Sequence, residues 1–173
     1  MKRSIAYSFL LLSALACLAP LRPVRAQMIG TLPIDGIKCQ SMEGAAMHIH
    51  QHLQLFNHGK PVVLPANIGI SMAANCLYWL HTHQTDGIIH VESPQKRNFT
   101  LGEFFDVWGQ ELSWWEAGPI RATKGQKLFI SVNHAKWTGK DPRAIPLRDH
   151  EEIVIQSGPP WAKVYKDVDW SKM

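Results

Sequence analysis

The sequence lacks the short motifs that identify most common enzyme classes. It has no Gly-x-Ser-x-Gly elbow, no phosphate-binding glycine loop, no dinucleotide fingerprint and no Cys-x-x-Cys pair. It also has no internal repeats and no low-complexity tracts. These absences argue against serine-hydrolase, P-loop, dinucleotide and dithiol chemistry, and they direct attention to the other polar side chains.

Long apolar runs are missing beyond the N-terminus. A basic start, an apolar run over residues 5–18 and a small-x-small sequence ending at Ala26 are typical of a secretory signal. The run is too short to cross a bilayer. The sequence therefore predicts a signal peptide over residues 1–26 and one domain over 27–173. It predicts a secreted or periplasmic protein with no membrane insertion after signal removal.

Net charge is also missing once the signal is removed. The whole chain has 18 Lys and Arg against 14 Asp and Glu, but the signal carries four of the bases and no acid. The remaining 14 bases equal the 14 acids. Nucleic-acid binding proteins are usually strongly basic, so we expect no nucleic-acid partner; protein partners stay open.

Only two cysteines, Cys39 and Cys76, lie beyond the signal. In an exported protein an even pair is most simply a disulfide, and ligation of a metal by the thiolates is the competing interpretation. Each cysteine lies a few residues before a group of histidines. A bridge would therefore fasten the two groups side by side.

Residues 76–92 predict a β-hairpin, because aromatic and β-branched runs flank an Asp-Gly pair at 86–87. A two-residue type I′ turn would place His81 opposite Glu92, and a four-residue connection would place it opposite His90. A three-residue loop would instead send His90 to the far side. With the two-residue or the four-residue connection, four side chains project from one face: His81, His83, His90 and Glu92.

A second histidine group lies on a predicted strand over residues 47–56, which alternates polar and apolar side chains. His48, His50 and His52 project from one side of it. A solvated strand face and a set of additional metal ligands are equally good interpretations. The bridged cysteines would bring this face beside the hairpin.

Three imidazoles beside a carboxylate predict a transition-metal site formed by His81, His83 and His90. Glu92 would act either as a ligand or as an acceptor that fixes an imidazole tautomer. The metal, copper or zinc, is unresolved at this point, and no catalytic residue is identified. Four nearby candidates carry less weight, namely the thioethers of Met42 and Met47, which favour copper(I), and the outer acids Glu43 and Asp106.

The remaining pattern predicts the fold class. A capping box at Thr100–Glu103 opens a short helix that ends at Gly109, and residues 61–64, 127–133 and 152–156 read as strands. We expect an α+β domain with mainly antiparallel β-structure, in a small sheet or sandwich of about five to seven strands, with one short helix.

Several phrases between residues 39 and 109 resemble a family of exported bacterial and archaeal proteins. The phrases include His-Ile-His-Gln-His-Leu and Leu-His-Thr-His-Gln-Thr-Asp-Gly-Ile-Ile-His-Val-Glu-Ser-Pro. The resemblance implies export and a fixed histidine framework, and it carries no activity with it.

Three functions fit the histidine pattern. The first is an exported metal-binding protein, in particular one that binds or handles copper. The second is a mononuclear zinc or copper enzyme of hydration, hydrolysis or oxygen chemistry. Its His-x-His strand with a third histidine on the next strand is similar in layout to the zinc site of α-type carbonic anhydrases, which nothing else in the chain matches. The third is an interaction module in which a metal only staples the hairpin.

Overall fold

The structure is a computed structural model that describes residues 32–163 and 167–172. The predicted signal peptide lies outside the described residues. Among the helices of the described ranges, none has the length and apolar character needed to span a bilayer.

The described chain forms 14 strands, one α-helix and two short 3-10 helices, which confirms the predicted α+β class. The α-helix, α1, spans Leu101–Trp108, and the 3-10 helices span Pro142–Ala144 and Trp170–Lys172. The strands are β1 (Cys39–Gln40), β2 (Met47–Asn57), β3 (Lys60–Val62), β4 (Ile70–Ser71), β5 (Cys76–Tyr78), β6 (Leu80–His81), β7 (Ile88–Ser93), β8 (Phe99–Thr100), β9 (Glu116–Ala117), β10 (Ile120–Arg121), β11 (Phe129–Val132), β12 (Ala135–Lys136), β13 (Pro146–Leu147) and β14 (Glu151–Ser157).

A seven-stranded sheet organises the molecule. Its strand order is β12-β11-β14-β2-β7-β6, and β3 pairs with β2 beside this path. The neighbours are antiparallel except β2 and β14, which run parallel with Gln51 opposite Glu151. The smaller sheets β1-β5-β4, β10-β9 and β13-β8 account for the strands beyond the five to seven that we expected.

The side chains on one face of this sheet form part of the hydrophobic core. On β2 the predicted alternation holds, because Leu53 and Leu55 are each 1% exposed. Burying side chains of this size stabilises the fold by roughly 1.5–3 kcal/mol each. They join Ile89 and Val91 of β7 and residues of α1 in one core cluster. The opposite face of β2 and β7 is therefore left to the histidines.

Helix α1 forms as its capping signals predict. Thr100 is the N-cap: its side chain accepts from the Glu103 N–H, and the Glu103 carboxylate accepts from the Thr100 N–H. Gly109 ends the helix in the left-handed conformation at φ 71°. The buried rings of Phe104 and Phe105 fix the helix to the core.

The hairpin has the register of a four-residue connection. His81 pairs with His90 and Leu80 with Val91. The prediction of a type I′ turn is wrong. Such a turn needs positive φ at both central residues, and of Asp86 and Gly87 only Gly87 has it. The Asp86 carboxylate instead accepts from the Ile88 N–H at 3.0 Å. The strands end earlier than expected, so residues 82–87 form the connection.

Trp79 does not follow the strict alternation of a continuous strand over residues 76–81. That alternation would put it on the side of His81 and His83, as an apolar wall of the site. The chain bends at Trp79 between β5 and β6, and the indole joins the core, where it meets the Phe99 ring edge-on at 6.4 Å between centroids. Its Nε1–H donates to the Gln40 carboxamide oxygen. The bend interrupts the alternation before the first histidine of the hairpin.

Cys39 and Cys76 form a disulfide, which confirms the favoured pairing and removes both thiolates from metal ligation. The bridge joins β1 to β5, two strands that also pair through Cys39 opposite Tyr78. It thereby holds the segment after β1, which includes Glu43, against the start of the hairpin.

Replacing both cysteines by alanine is expected to lower the free energy of unfolding by roughly 2–4 kcal/mol, because the bridge closes a loop with a sequence separation of 37. Urea unfolding of the oxidised parent and the variant measures this difference. In reducing buffer the two proteins should unfold at nearly the same urea concentration. Equal stability of variant and oxidised parent would contradict the prediction.

Candidate metal centre

Three adjacent strands present the histidines on one face of the sheet. On β2 and β7, His48 lies opposite Glu92 and His50 opposite His90. On β7 and β6, His90 lies opposite His81. Directly opposed residues in a sheet point to the same side. The central strand therefore offers His90 and Glu92 to neighbours on both sides.

His81 is held in one protonation state. Its side chain is fully buried, and its Nδ1 lies 2.9 Å from the Tyr78 carbonyl oxygen. A carbonyl only accepts, so Nδ1 carries the proton and donates it. Burial lowers the pKa of His81 to about 4. At neutral pH its Nε2 therefore carries no proton, and it lies within hydrogen-bond distance of Nε2 of His83, 3.2 Å away.

His90 occupies the middle of the cluster. Its ring stacks on His81 with 5.4 Å between centroids, and it meets His83 and His50 edge-on at 4.5 and 4.6 Å. Burial and the neighbouring imidazoles, first His81, lower its pKa to about 3. Its Nδ1 is buried and makes no hydrogen bond within the described residues. It is therefore a neutral imidazole with an unused polar atom.

Glu92 is 3% exposed and has histidines on several sides. Its Oε1 lies 3.1 Å from His48 Nε2 and 3.3 Å from His90 Nδ1, and its Oε2 lies 3.8 Å from His81 Nε2. Burial, and then the charge of Glu43, raises the pKa of Glu92. Oε2 is buried without a hydrogen-bond partner among the described residues. A buried carboxylate oxygen without a hydrogen bond is costly, and a bound cation would remove that cost.

His48 and His50 form a second pair on the other side of β7. Their Nε2 atoms are 3.2 Å apart, as in the first pair. The His48 side chain is 56% exposed, and burial followed by the charge of His48 lowers the pKa of His50. The His50 N–H donates to Asp149 at 3.0 Å.

His52, the third histidine of β2, has a different role. Its Nδ1 lies 2.6 Å from the Glu152 carboxylate, and both side chains are buried. The other Glu152 oxygen accepts from the Val168 N–H at 2.8 Å. His52 is thus held by a buried hydrogen bond to Glu152 of β14, outside the cluster that His48 and His50 join.

Two overlapping groups of side chains could hold a metal ion. In each group the possible donor atoms all lie within 4.8 Å of one another. Zinc–nitrogen bonds of 2.0–2.1 Å in a tetrahedron separate neighbouring nitrogens by about 3.3–3.4 Å, close to the 3.2 Å between the paired histidines. The groups are His81, His83, His90 and Glu92, and His48, His50, His90 and Glu92.

The other candidates are distributed unevenly around this cluster. Glu43 reaches it, with its Oε1 4.0 Å from His83 Nε2. Asp106 instead pairs with Arg143. Met47 packs against the core and Met42 is 77% exposed.

Asp149 and Glu152 were not predicted from the sequence. They reach the histidines only through the parallel pairing of β14 with β2, two strands about 100 residues apart. The alternation within β14 predicts that this segment is a strand. It does not indicate which other strand pairs with it.

No family model matches the chain, and neither a curated protein nor a solved structure matches it. The resemblance to exported bacterial and archaeal proteins therefore stays a prediction. The functional argument depends on the geometry of the cluster.

We expect the metal-free protein to lose stability as the pH falls from 6.5 to 5. The unfolded state binds protons at His81 and His90 near pH 6.5, whereas the folded state resists them down to about pH 4 and 3. The lost free energy of unfolding is up to about 2 kcal/mol per histidine. Glu92 acts with the opposite sign, because its raised pKa lets the folded state take up a proton first.

Urea unfolding at several pH values measures this slope, and His90→Gln should flatten it. The exposed His134, which pairs with Asp167 at the surface, provides the control, since His134→Asn should keep the parental slope. A slope that is the same in the parent and in His90→Gln would contradict the prediction.

Proposed function

We propose that the protein is exported and binds a transition metal ion through His81, His83 and His90, with Glu92 as the fourth ligand. The observation that carries this proposal is the set of polar atoms at the centre of the cluster that lack a hydrogen bond. His90 Nδ1 and Glu92 Oε2 are both buried without one among the described residues, and His81 turns its unprotonated Nε2 towards His83. A cation at this point would be bound by all of them.

The donor set favours zinc or copper(II). Imidazole and carboxylate suit borderline divalent ions, whereas copper(I) prefers thiolates and thioethers. The cysteines are bridged, Met47 packs against the core and Met42 is exposed. The 3.2 Å separation of the two Nε2 atoms favours the tetrahedral geometry of zinc. The same ligands would also allow the protein to bind or handle copper(II).

The disulfide supports the proposed compartment. A bridge between Cys39 and Cys76 indicates a non-reducing environment. The periplasm and the extracellular space are such environments, and metals there are held by proteins with accessible imidazoles. Export is thus consistent with both the cysteines and the histidines.

Elemental analysis tests this function directly. We expect the parent to retain metal after dialysis against a chelator at least 100-fold better than His81→Ala/His83→Ala, since each of these ligand losses costs 10-fold or more in affinity. His58→Asn/His134→Asn is the matched control. It removes two histidines outside both groups, and asparagine tolerates the positive φ at both positions. Because His81 is fully buried, the single variant His83→Ala is included.

A parent that binds zinc and copper no better than the His81→Ala/His83→Ala variant would refute the proposed site. Loss of metal in the control variant would have the same consequence. Thermal unfolding with and without metal gives a second readout, because a ligand that binds only the folded state raises the midpoint.

Hydration or hydrolysis at the bound metal is the second candidate function, in which water would take the fourth position in place of Glu92. The position of Glu43 favours it. Its carboxylate lies 4.0 Å from His83 Nε2, and its side chain is 55% exposed. A metal held by imidazoles lowers the pKa of bound water to about 7. Glu43 is placed at the solvent side of the group, where it can hold the proton that such a water loses.

Replacing Glu43 by glutamine tests this role. If the zinc-loaded protein hydrates carbon dioxide or cleaves an activated ester, the variant should lose 10- to 100-fold in kcat. Its metal content should equal that of the parent, because Glu43 lies outside the ligand group. An unchanged kcat and pH profile would exclude Glu43 as the proton acceptor, and the absence of turnover in the parent would leave a binding protein.

A further inference from the structure

The two histidine pairs are arranged almost symmetrically about β7. On one side β6 and its connection supply His81 and His83, and on the other side β2 supplies His48 and His50. Both pairs have their Nε2 atoms 3.2 Å apart. The central strand supplies His90 and Glu92, which belong to both groups. Each pair thus has half of a complete ligand set, and the shared residues lie between the pairs.

The two oxygens of Glu92 face different pairs. Oε1 lies 3.1 Å from Nε2 of His48, and Oε2 lies 3.8 Å from Nε2 of His81. A carboxylate with this orientation can give one oxygen to each of two metal ions at the same time. Both ions would then have two imidazoles and one carboxylate oxygen, with His90 completing the coordination of one of them.

Nearby carboxylates compensate the charge of two divalent ions. Glu92 lies at the centre of the cluster. Glu43 approaches the first pair at His83, and Asp149 accepts from the N–H of His50 in the second pair. These three carboxylates oppose most of the four positive charges, so that a second ion is not repelled from an already cationic site.

We propose that the protein holds two metal ions side by side, one on His81 and His83 and one on His48 and His50, bridged by the carboxylate of Glu92. This inference rests on the proposed function for the first ion and adds the second. Dinuclear centres typically place their ions about 3.5–4 Å apart, a spacing that a single carboxylate can bridge. His52 is excluded from the centre by its hydrogen bond with Glu152.

Titration of the metal-free protein with zinc, followed by calorimetry and elemental analysis, tests the proposal. We expect two equivalents in the parent and one in each paired variant, His48→Ala/His50→Ala and His81→Ala/His83→Ala. Glu92→Gln should weaken the second equivalent at least tenfold, because an amide does not bridge as an anion. His58→Asn/His134→Asn should keep both equivalents. The exposed single variants His48→Ala and His83→Ala replace the pairs if a paired variant does not fold.

The outcomes separate the two proposals. A parent with one equivalent that is lost in His83→Ala overturns the dinuclear centre and leaves the first site intact. Two equivalents that persist without His48 and His50 also overturn it, because the second ion then binds elsewhere. A parent that takes up neither zinc nor copper(II) overturns both proposals. With copper(II) in place of zinc, a bridged pair should show magnetic coupling in the electron paramagnetic resonance spectrum, and two isolated ions should not.

Discussion

The burial of the Glu92 carboxylate among neutral imidazoles is the constraint on which the site depends. A carboxylate that is 3% exposed would ordinarily be paired with a cation or surrounded by hydrogen-bond donors. Here Oε2 has no hydrogen-bond partner in the described part of the chain, and burial drives His81 and His90 towards their neutral forms. The protein thus keeps the lone pairs of several neutral imidazoles close to the Glu92 carboxylate. Such a set is unfavourable alone and favourable around a metal ion.

The sheet pairing makes this concentration possible. Opposed residues lie about 5 Å apart, so three adjacent strands bring His50, His90 and His81 into one row across the sheet. The core on the other face fixes the register, because a slip by one residue would turn the histidines inward and Leu53 outward. The disulfide adds a second constraint, since it holds Glu43 near the hairpin. Stability and site geometry therefore depend on the same pairings.

Much of this could be predicted from local patterns, and the part that failed has a physical cause. Strand alternation placed the histidines of each segment on one face, and the capping residues of α1 defined its ends. The length of the turn was harder to predict from local patterns. The Gly87 carbonyl accepts from the Leu53 N–H of β2, and this contact selects the longer connection. The pairing of β2 with β14, and hence the contact between His52 and Glu152, has no local signal at all.

The contrast between His52 and the other histidines of β2 shows how one strand can serve two purposes. His52 has a carboxylate from β14 at 2.6 Å, and the backbone of residue 168 satisfies the remaining oxygen of that carboxylate. His48 and His50 face β7 instead, where the only buried carboxylate of the cluster, Glu92, is shared with His81. A carboxylate whose two oxygens are both hydrogen-bonded, as in Glu152, needs no cation, whereas Glu92 has one unsatisfied oxygen and several neutral imidazoles beside it. Histidines in the same alternation can therefore differ in role. His52 has a carboxylate partner of its own and is structural, whereas His48 and His50 share their carboxylate with other histidines and could bind a metal.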